Sequence, residues 1–255
     1  MKTSIVIPAY NEEKRIGKTL ENYCLFLKKK KIDFDIIVVL NNCSDSTLEV
    51  VKEAQKKHSE VSFLNFKRGG KGFAIIEGFK NSLSKKNNLI GFVDADMSTS
   101  PAAFYDLISK IDGFDGVIAS RYIPGAIVKP KQSFRRIAIS RIGNLIIRGL
   151  FFFPYRDTQC GAKLFKQRVI KRVVDKIGLT EWAFDVNLLY LCKINKFKIK
   201  EIPTIWEDKE GSKIKSRTPL LFFLGIIRLR VIYSPIEPIA RQFKFVAHWL
   251  YKILK

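Results

Sequence analysis

The sequence predicts an α/β fold, a mostly parallel sheet flanked by helices. Two patterns carry this. Short apolar runs alternate with helical patterns ahead of Asp94, and each run ends in a polar loop. Strand, loop and helix repeated in that order are the signature of parallel βαβ units. A third observation locates chemistry. The run Leu89-Ile90-Gly91-Phe92-Val93 stops abruptly at Asp94-Ala95-Asp96, two carboxylates that could not stay charged and bare in a core.

Ser4-Ile5-Val6-Ile7 reads as the first strand, closed by Pro8, which lacks a ladder donor. After Ala9-Tyr10-Asn11, Glu12 and Glu13 open a helical pattern through Ile16, Leu20, Tyr23 and Leu27. Acidic residues in a first turn suit the helix dipole. Phe34 to Leu40 is the second strand, and the polar loop from Asn41 to Thr47 leads into a second helix. Val61 to Phe66 is the third, followed by Lys67-Arg68-Gly69-Gly70-Lys71-Gly72 and a helix over 73–83. That glycine-rich turn lacks the full phosphate-loop and dinucleotide fingerprints. Its backbone N–H groups and Lys71 suit a nucleotide diphosphate; a plain basic turn is the alternative.

Leu89 to Val93 is the fourth strand. Ligands of parallel sheets bind outside the carboxyl ends of the strands, so the polar loops are expected on one edge. There Asp94 and Asp96 can share a hard divalent cation, Mg2+ or Mn2+, which prefers oxygen ligands and leaves room for substrate phosphates. A turn that happens to use aspartate is the alternative.

A chain of 255 residues is long enough for one large α/β domain with appendages. Its formal net charge of +22 is uneven: 18 Lys and Arg stand against 15 Asp and Glu in residues 1–120, and 28 against 9 in 121–255. Such a second half suits an anionic partner. The arrangement favours a membrane surface. From Phe134 to Phe153, Arg135, Arg136, Arg141 and Arg148 alternate with Ile137, Ile139, Ile142, Leu145, Ile146, Ile147 and Leu150. Arg141, Asn144 and Arg148 share one helical face, and the rest of the circumference is apolar. This is the pattern of a helix lying in a bilayer interface. Leu220 to Ile227, and then Phe243, Trp249 and Leu250 among Arg241, Lys244 and Lys252, repeat it. Neither run reaches the roughly 18–20 apolar residues of a spanning helix. Ordinary amphipathic core helices are the alternative, and nucleic acid is not an expected partner because no recognised motif accompanies the charge.

The N-terminus enters a strand directly, so no signal peptide is expected. Cys24, Cys43, Cys160 and Cys192 have neither metal nor redox spacing and read as small buried apolar residues. His58, at a solvated helix end, and His248 are assigned no chemistry, and the lysines 28–31 read as a solvated helix end.

The motifs resemble a known family. Pro8-Ala9-Tyr10-Asn11-Glu12, the Asn41–Thr47 loop, Lys71-Gly72 and Asp94-Ala95-Asp96 are similar, in order, to the family 2 glycosyltransferases of GT-A (Rossmann-like) fold. Ala119-Ser120-Arg121-Tyr122, Arg135-Arg136, the run from Asp157 to Phe165, Trp182-Ala183-Phe184-Asp185 and Gly211-Ser212-Lys213 resemble the dolichyl-phosphate glucosyltransferase and dolichyl-phosphate mannose synthase branch, over roughly residues 3 to 215. Two positions depart from it. Ser98 stands where mannose synthases carry Gln, and Leu40-Asn41 where many members carry two aspartates; Asn41 offers an amide carbonyl to the base instead.

The resemblance implies an inverting, metal-dependent hexosyltransferase of protein glycosylation. It would move glucose or mannose from UDP-glucose or GDP-mannose to polyprenyl or dolichyl phosphate, on the cytoplasmic face of a membrane, as a monotopic or peripheral protein. Pro8, Tyr10, Glu12, Asn41, Lys71, Asp94, Ala95, Asp96 and Lys213 would hold the nucleotide sugar, with Asp94 and Asp96 on the metal. Arg121, Arg136 and Ser140 would clamp the acceptor phosphate; Arg136 and Ser140 are one helical turn apart. Asp185 would orient the donor or a clamp residue. In the alternative, a transferase acting on a sugar hydroxyl, Asp185 is the general base. A non-catalytic membrane protein that has kept the fold is a further alternative, which the Asp94/Asp96 pair argues against. The division expected is a catalytic domain over 1–215, with the interfacial helix 133–153 inside it, and amphipathic membrane-associating helices over 216–255.

Overall fold

A computed structural model describes residues 1–130, 134–178, 183–207 and 218–234, without the side chains of 134–136 and 218–221. Its first half is a strict alternation. β1 (Thr3–Ala9), α1 (Ile16–Lys29), β2 (Phe34–Asn41), α2 (Thr47–Lys57), β3 (Val61–Phe66), α3 (Lys71–Ser84), β4 (Leu89–Phe92), α4 (Pro101–Ser109) and β5 (Gly116–Ser120) follow one another. The second half holds β6 (Ile127–Lys129), α5 (Phe134–Phe151), β7 (Lys163–Lys166), α6 (Gln167–Val173), α7 (Phe184–Ile194), β8 (Ile199–Pro203), β9 (Ile205–Glu207) and α8 (Thr218–Ile232).

Seven strands form one sheet in the order β3-β2-β1-β4-β7-β5-β8, and β6 pairs with β9 beside it. β3, β2, β1 and β4 are parallel; β7 runs antiparallel between β4 and β5. The chain winds outward from β1 to β3, then returns to place β4 on the other side of β1. That is a topological switch point, where the crevice outside the strand ends takes ligands.

Strand residues alternate between two cores, as a period of two requires. Ile5, Ile7, Ile36 and Val38 face Leu20, Tyr23 and Phe104 of α1 and α4. Val6, Ile37 and Val39 face Ile75 and Phe79 of α3, with Leu188 of α7 and Ile226 of α8 in the same cluster. Gly78 lets α3 close on β1: a Cβ there would lie 2.3 Å from a Val6 methyl.

Three expectations differ at their edges. β1 does not stop at Pro8, which pairs opposite Val39. β4 ends at Phe92, and the Val93 N–H still reaches the Val6 carbonyl. Past that point β1 has a strand on one side only, where proline is tolerated. α1 begins at Ile16, not at Glu12. Glu12 and Glu13 instead join two loops: the Glu12 N–H donates to Thr47 Oγ1 at 2.7 Å, the Glu13 N–H to Asp45 at 3.2 Å, and the Ser46 N–H to Glu13 at 2.9 Å. His58 is buried rather than solvated, with Nε2 2.8 Å from Glu21, tying α2 to α1.

α8 shares the core expected of the catalytic domain alone. Ile226 and Leu229 are buried with α7, and the Tyr233 hydroxyl accepts from Asn187 at 2.9 Å. The expected amphipathic run at 243–250 lies outside the described residues. Among the described residues no helix is long and apolar enough to cross a membrane.

Candidate active site

The loop after β4 begins where that strand runs out beside β1. Asp94 and Asp96 lie on it, and α1 holds it from beneath. Thr19 Oγ1 donates to the Ala95 carbonyl at 2.7 Å and the Tyr23 hydroxyl to the Thr99 carbonyl at 2.8 Å. The Ser98 N–H donates to Asp96 Oδ1 at 2.9 Å, across Met97 in a left-handed conformation. Both carboxylates are partly exposed.

Lys71, at the start of α3, brings its ammonium to 2.5 Å from Asp94 Oδ1. Desolvation alone would lower its pKa. The charges of Asp94 and Asp185, the hydrogen bond to Asp94 and then the charge of Asp96 outweigh that and hold it above the usual lysine range. The structure thus brings together Lys71, Asp94, Asp96 and Asp185 from three different segments: the start of α3, the loop after β4 and the start of α7. Asp94 and Asp96 are an oxygen-only pair that fits a hard cation with substrate phosphates completing its shell. Among the described residues no group of three metal-ligating side chains gathers.

Two residues that the sequence reading passed over support this cluster. Gly161 lies against Asp94 so closely that a Cβ would sit 1.8 Å from a carboxylate oxygen. Lys163 is fully buried; its ammonium donates to Asp185 Oδ1 at 2.5 Å and to the Cys160 carbonyl at 2.7 Å, over the Phe92 ring. Both follow Asp157 in one motif, the only signal that could have singled them out. Asp185 is the second residue of α7, where the helix dipole favours a carboxylate. Burial pushes the Cys160 thiol up to about 12, so it supplies no thiolate.

On the nucleotide side, Asn41 is buried and its amide is engaged at both ends. Nδ2 donates to the Ala9 carbonyl at 2.9 Å, and Oδ1 accepts the Gly70 N–H at 3.2 Å. It pins the glycine turn to the end of β1, a use the sequence did not reveal. Pro8 is buried in β1 and Tyr10 is exposed beyond it. The Glu12 carboxylate accepts from Arg15 Nε and Nη2, at 2.7 and 2.8 Å.

Arg121, expected as a phosphate clamp, already has two of its nitrogens paired in the fold. Nε and Nη2 form a fork on buried Asp157 at 2.7 and 3.0 Å, and the guanidinium stacks near Tyr122 and Trp206. Burial opposes both charges, yet the pairing holds Arg121 above and Asp157 below its ordinary pKa. Ser140 Oγ lies 2.6 Å from the Tyr122 hydroxyl. The Arg136 side chain and Lys213 lie outside the described residues.

The sequence matches Glycosyl transferase family 2 over residues 4–174. A dolichyl-phosphate beta-glucosyltransferase of Trichomonas vaginalis is 31% identical over 242 residues, covering 90% of this chain and 73% of that protein. The dolichyl-phosphate beta-glucosyltransferase of Homo sapiens is 31% identical over 229 residues, covering 83% and 69%. Among solved structures, mannosyl-3-phosphoglycerate synthase from Rubrobacter xylanophilus superposes with a TM-score of 0.73 at 14% identity, over 93% of this chain and 75% of that one. Glucosyl-3-phosphoglycerate synthase from Mycobacterium tuberculosis, in complex with Mn2+, uridine diphosphate and glucosyl-3-phosphoglycerate, gives 0.67 at 12%, over 92% and 81%. These structures share the fold; the match over residues 4–174, more than half of the sequence, shows that the chain belongs to glycosyl transferase family 2.

Proposed function

We propose that this enzyme transfers glucose, with inversion, from a nucleoside-diphosphate glucose to the phosphate of dolichol or a similar polyprenol, at a membrane surface. The observation that carries the reading is the cluster of Asp94, Asp96 and Lys71 at the β1/β4 crevice. The sugar and acceptor rest on the activity of the dolichyl-phosphate beta-glucosyltransferases that are about 30% identical over most of the chain.

Pro8, Tyr10, Glu12 and Asn41 line the nucleotide side, and Lys71 neutralises the diphosphate. Asp94 and Asp96 would hold Mg2+ or Mn2+, which supplies Lewis-acid stabilisation of the departing diphosphate. Gly161 leaves Asp94 the room to take that position. A lipid phosphate is already an anionic nucleophile at neutral pH, so attack opposite the diphosphate needs no strong base. Asp185, held by Lys163, orients the ammonium of Lys71 and the donor sugar rather than removing a proton. Ser140, Arg136 and the remaining nitrogen of Arg121 receive the acceptor phosphate; Lys213 closes over the donor. The membrane face is the cytoplasmic one, where nucleotide sugars are made.

The test is transfer from labelled UDP-glucose and, separately, GDP-mannose to dolichyl phosphate, followed by lipid extraction. Label from UDP-glucose in the lipid phase supports the reading. Label only in a water-soluble or hydroxyl-linked product overturns it. Asp96→Asn should keep the fold and lower transfer at least ~100-fold, since a neutral amide is a poor ligand for a hard cation. Chelation should act likewise and be reversed by added Mg2+ or Mn2+; full activity of the variant in chelator would remove the metal.

A further inference from the structure

Away from the aspartate cluster, α5 borders a cavity of about 420 Å3 lined by Tyr122, Arg141, Asn144, Leu145, Arg148 and Arg156. Three of its six lining residues are arginines, and none of the three forms an ion pair with a carboxylate among the described residues. Arg148 Nε is buried there, with no hydrogen-bond partner among the described residues. Arg141 rests over the Tyr122 ring, 5.6 Å from its centre. Asn144 is spent on the fold: it donates to the Ser140 carbonyl and accepts from the Thr158 N–H and hydroxyl. Three guanidiniums around one cavity without a carboxylate partner among the described residues, with an unsatisfied donor among them, are a receptor for an anion, and their planar forks match phosphate oxygens.

The wall of the cavity says which kind of phosphate. Leu145 lines it and is also 64% exposed, and it continues into Ile139, Ile142 and Ile146, all exposed on α5. A phosphate seated among the arginines would carry any attached apolar chain directly over these residues. We propose that this cavity binds the headgroup phosphate of an anionic membrane phospholipid, separately from the acceptor phosphate, and fixes how α5 sits on the bilayer. The proposal rests on the reading that α5 meets a membrane, and needs neither sugar nor acceptor.

Full-length protein is tested by co-sedimentation with three kinds of vesicle: phosphatidylcholine alone, phosphatidylcholine with phosphatidylglycerol, and phosphatidylcholine with polyprenyl phosphate. Arg141→Gln with Arg156→Gln changes two exposed side chains, so folding is preserved, and an unchanged melting temperature checks it. Its affinity for phosphatidylglycerol vesicles should fall roughly 25-fold, about fivefold per charge, with binding to neutral vesicles unchanged. Arg148→Lys keeps the charge but loses the fork, and should still weaken phosphatidylglycerol binding severalfold. Lys52→Gln with Lys57→Gln, on α2, removes the same charge elsewhere and should change it less than about twofold.

Equal losses from the lysine and arginine pairs would mean a diffuse field and overturn the site, as would full binding by Arg148→Lys. Loss confined to polyprenyl phosphate vesicles would assign the cavity to the acceptor and overturn the phospholipid. Binding to no vesicle at all would overturn both this proposal and the membrane reading; binding to vesicles that ignores the arginines overturns this proposal alone.

Discussion

A methyl group on Gly161 would stand 1.8 Å from an Asp94 oxygen, so Gly161→Ala must push that carboxylate aside. Misplacing a reacting geometry by about 1 Å costs on the order of 100-fold in rate. We expect that loss in kcat, with an unchanged melting temperature and far-ultraviolet dichroism; a fully active Gly161→Ala would free Asp94 from any geometric demand. Asp157→Asn acts differently, because it strips the partner from a buried guanidinium. It should cost about 3–5 kcal/mol in urea unfolding at neutral pH. The pH dependence has a definite sign. Asp157 is held below the ordinary carboxylate value in the fold, so its contribution is complete above about pH 4 and is lost as pH falls through the lowered value. The gap between wild type and variant should therefore be constant from neutral down to about pH 4 and close only below it. At this scale the sequence singled out Asp94, Asp96 and Lys71, because each stands in a polar loop directly after an apolar run. Gly161, Lys163 and the doubly engaged amide of Asn41 stayed hidden, because each acts through a contact made across distant segments.

At the scale of the element, α5 shows what periodicity can and cannot say. Arg141, Asn144 and Arg148 share a face as the spacing requires, but only part of that face turns toward the protein: Asn144 is buried and bonds the Thr158 segment, Arg148 is half-buried and Arg141 is exposed. The aliphatic residues turn outward, with Ile139, Ile142, Leu145 and Ile146 between 39% and 64% exposed. A helix that turns an aliphatic stripe outward beside exposed and half-buried arginines is built for an apolar neighbour with an anionic rim. Ile142→Asp together with Leu145→Asp should therefore abolish sedimentation with neutral vesicles. It should leave the melting temperature nearly unchanged, since neither side chain is in the core. A drop of many degrees would show instead that this face packs against the chain's own residues. The pattern revealed an amphipathic helix; only the packing of Ile147 and Phe151 into the core decides its rotation. The same limit applies to Glu12 and Glu13. Acidic residues before an apolar period suit a helix start, and nothing local discloses that Thr47, Asp45 and Ser46 claim them for a loop-to-loop tie.

For the whole molecule, the first half was legible because each strand is followed by its own loop and helix. The antiparallel β7 and the short β6/β9 pair were not, because their partners are far away in sequence and their runs are brief. The expected division at residue 215 follows the last motif of the resemblance, Gly211-Ser212-Lys213, and the apolar, basic composition beyond it, which cannot distinguish a helix that leaves the domain from one that completes it. α8 completes it. Ile226 and Leu229 are each 1% exposed, a Cβ on Gly225 would lie 3.3 Å from the Ala183 Cβ, and Tyr233 bonds Asn187 of α7. Burying a large aliphatic side chain is worth about 1.5–3 kcal/mol, so these two alone stabilise the fold by roughly 3–6 kcal/mol, comparable to the whole net stability of many domains. Ending the chain after Lys215 should consequently yield an unstable or aggregated protein with Ala183, Phe184 and Ile147 uncovered. Ending it after Ser234 should keep the cooperative melting transition and the affinity for nucleotide sugar. Equal stability of the two truncations, measured by calorimetry alongside the full chain, would show that α8 is an appendage after all, and that membrane contact rather than core packing is what its apolar residues serve.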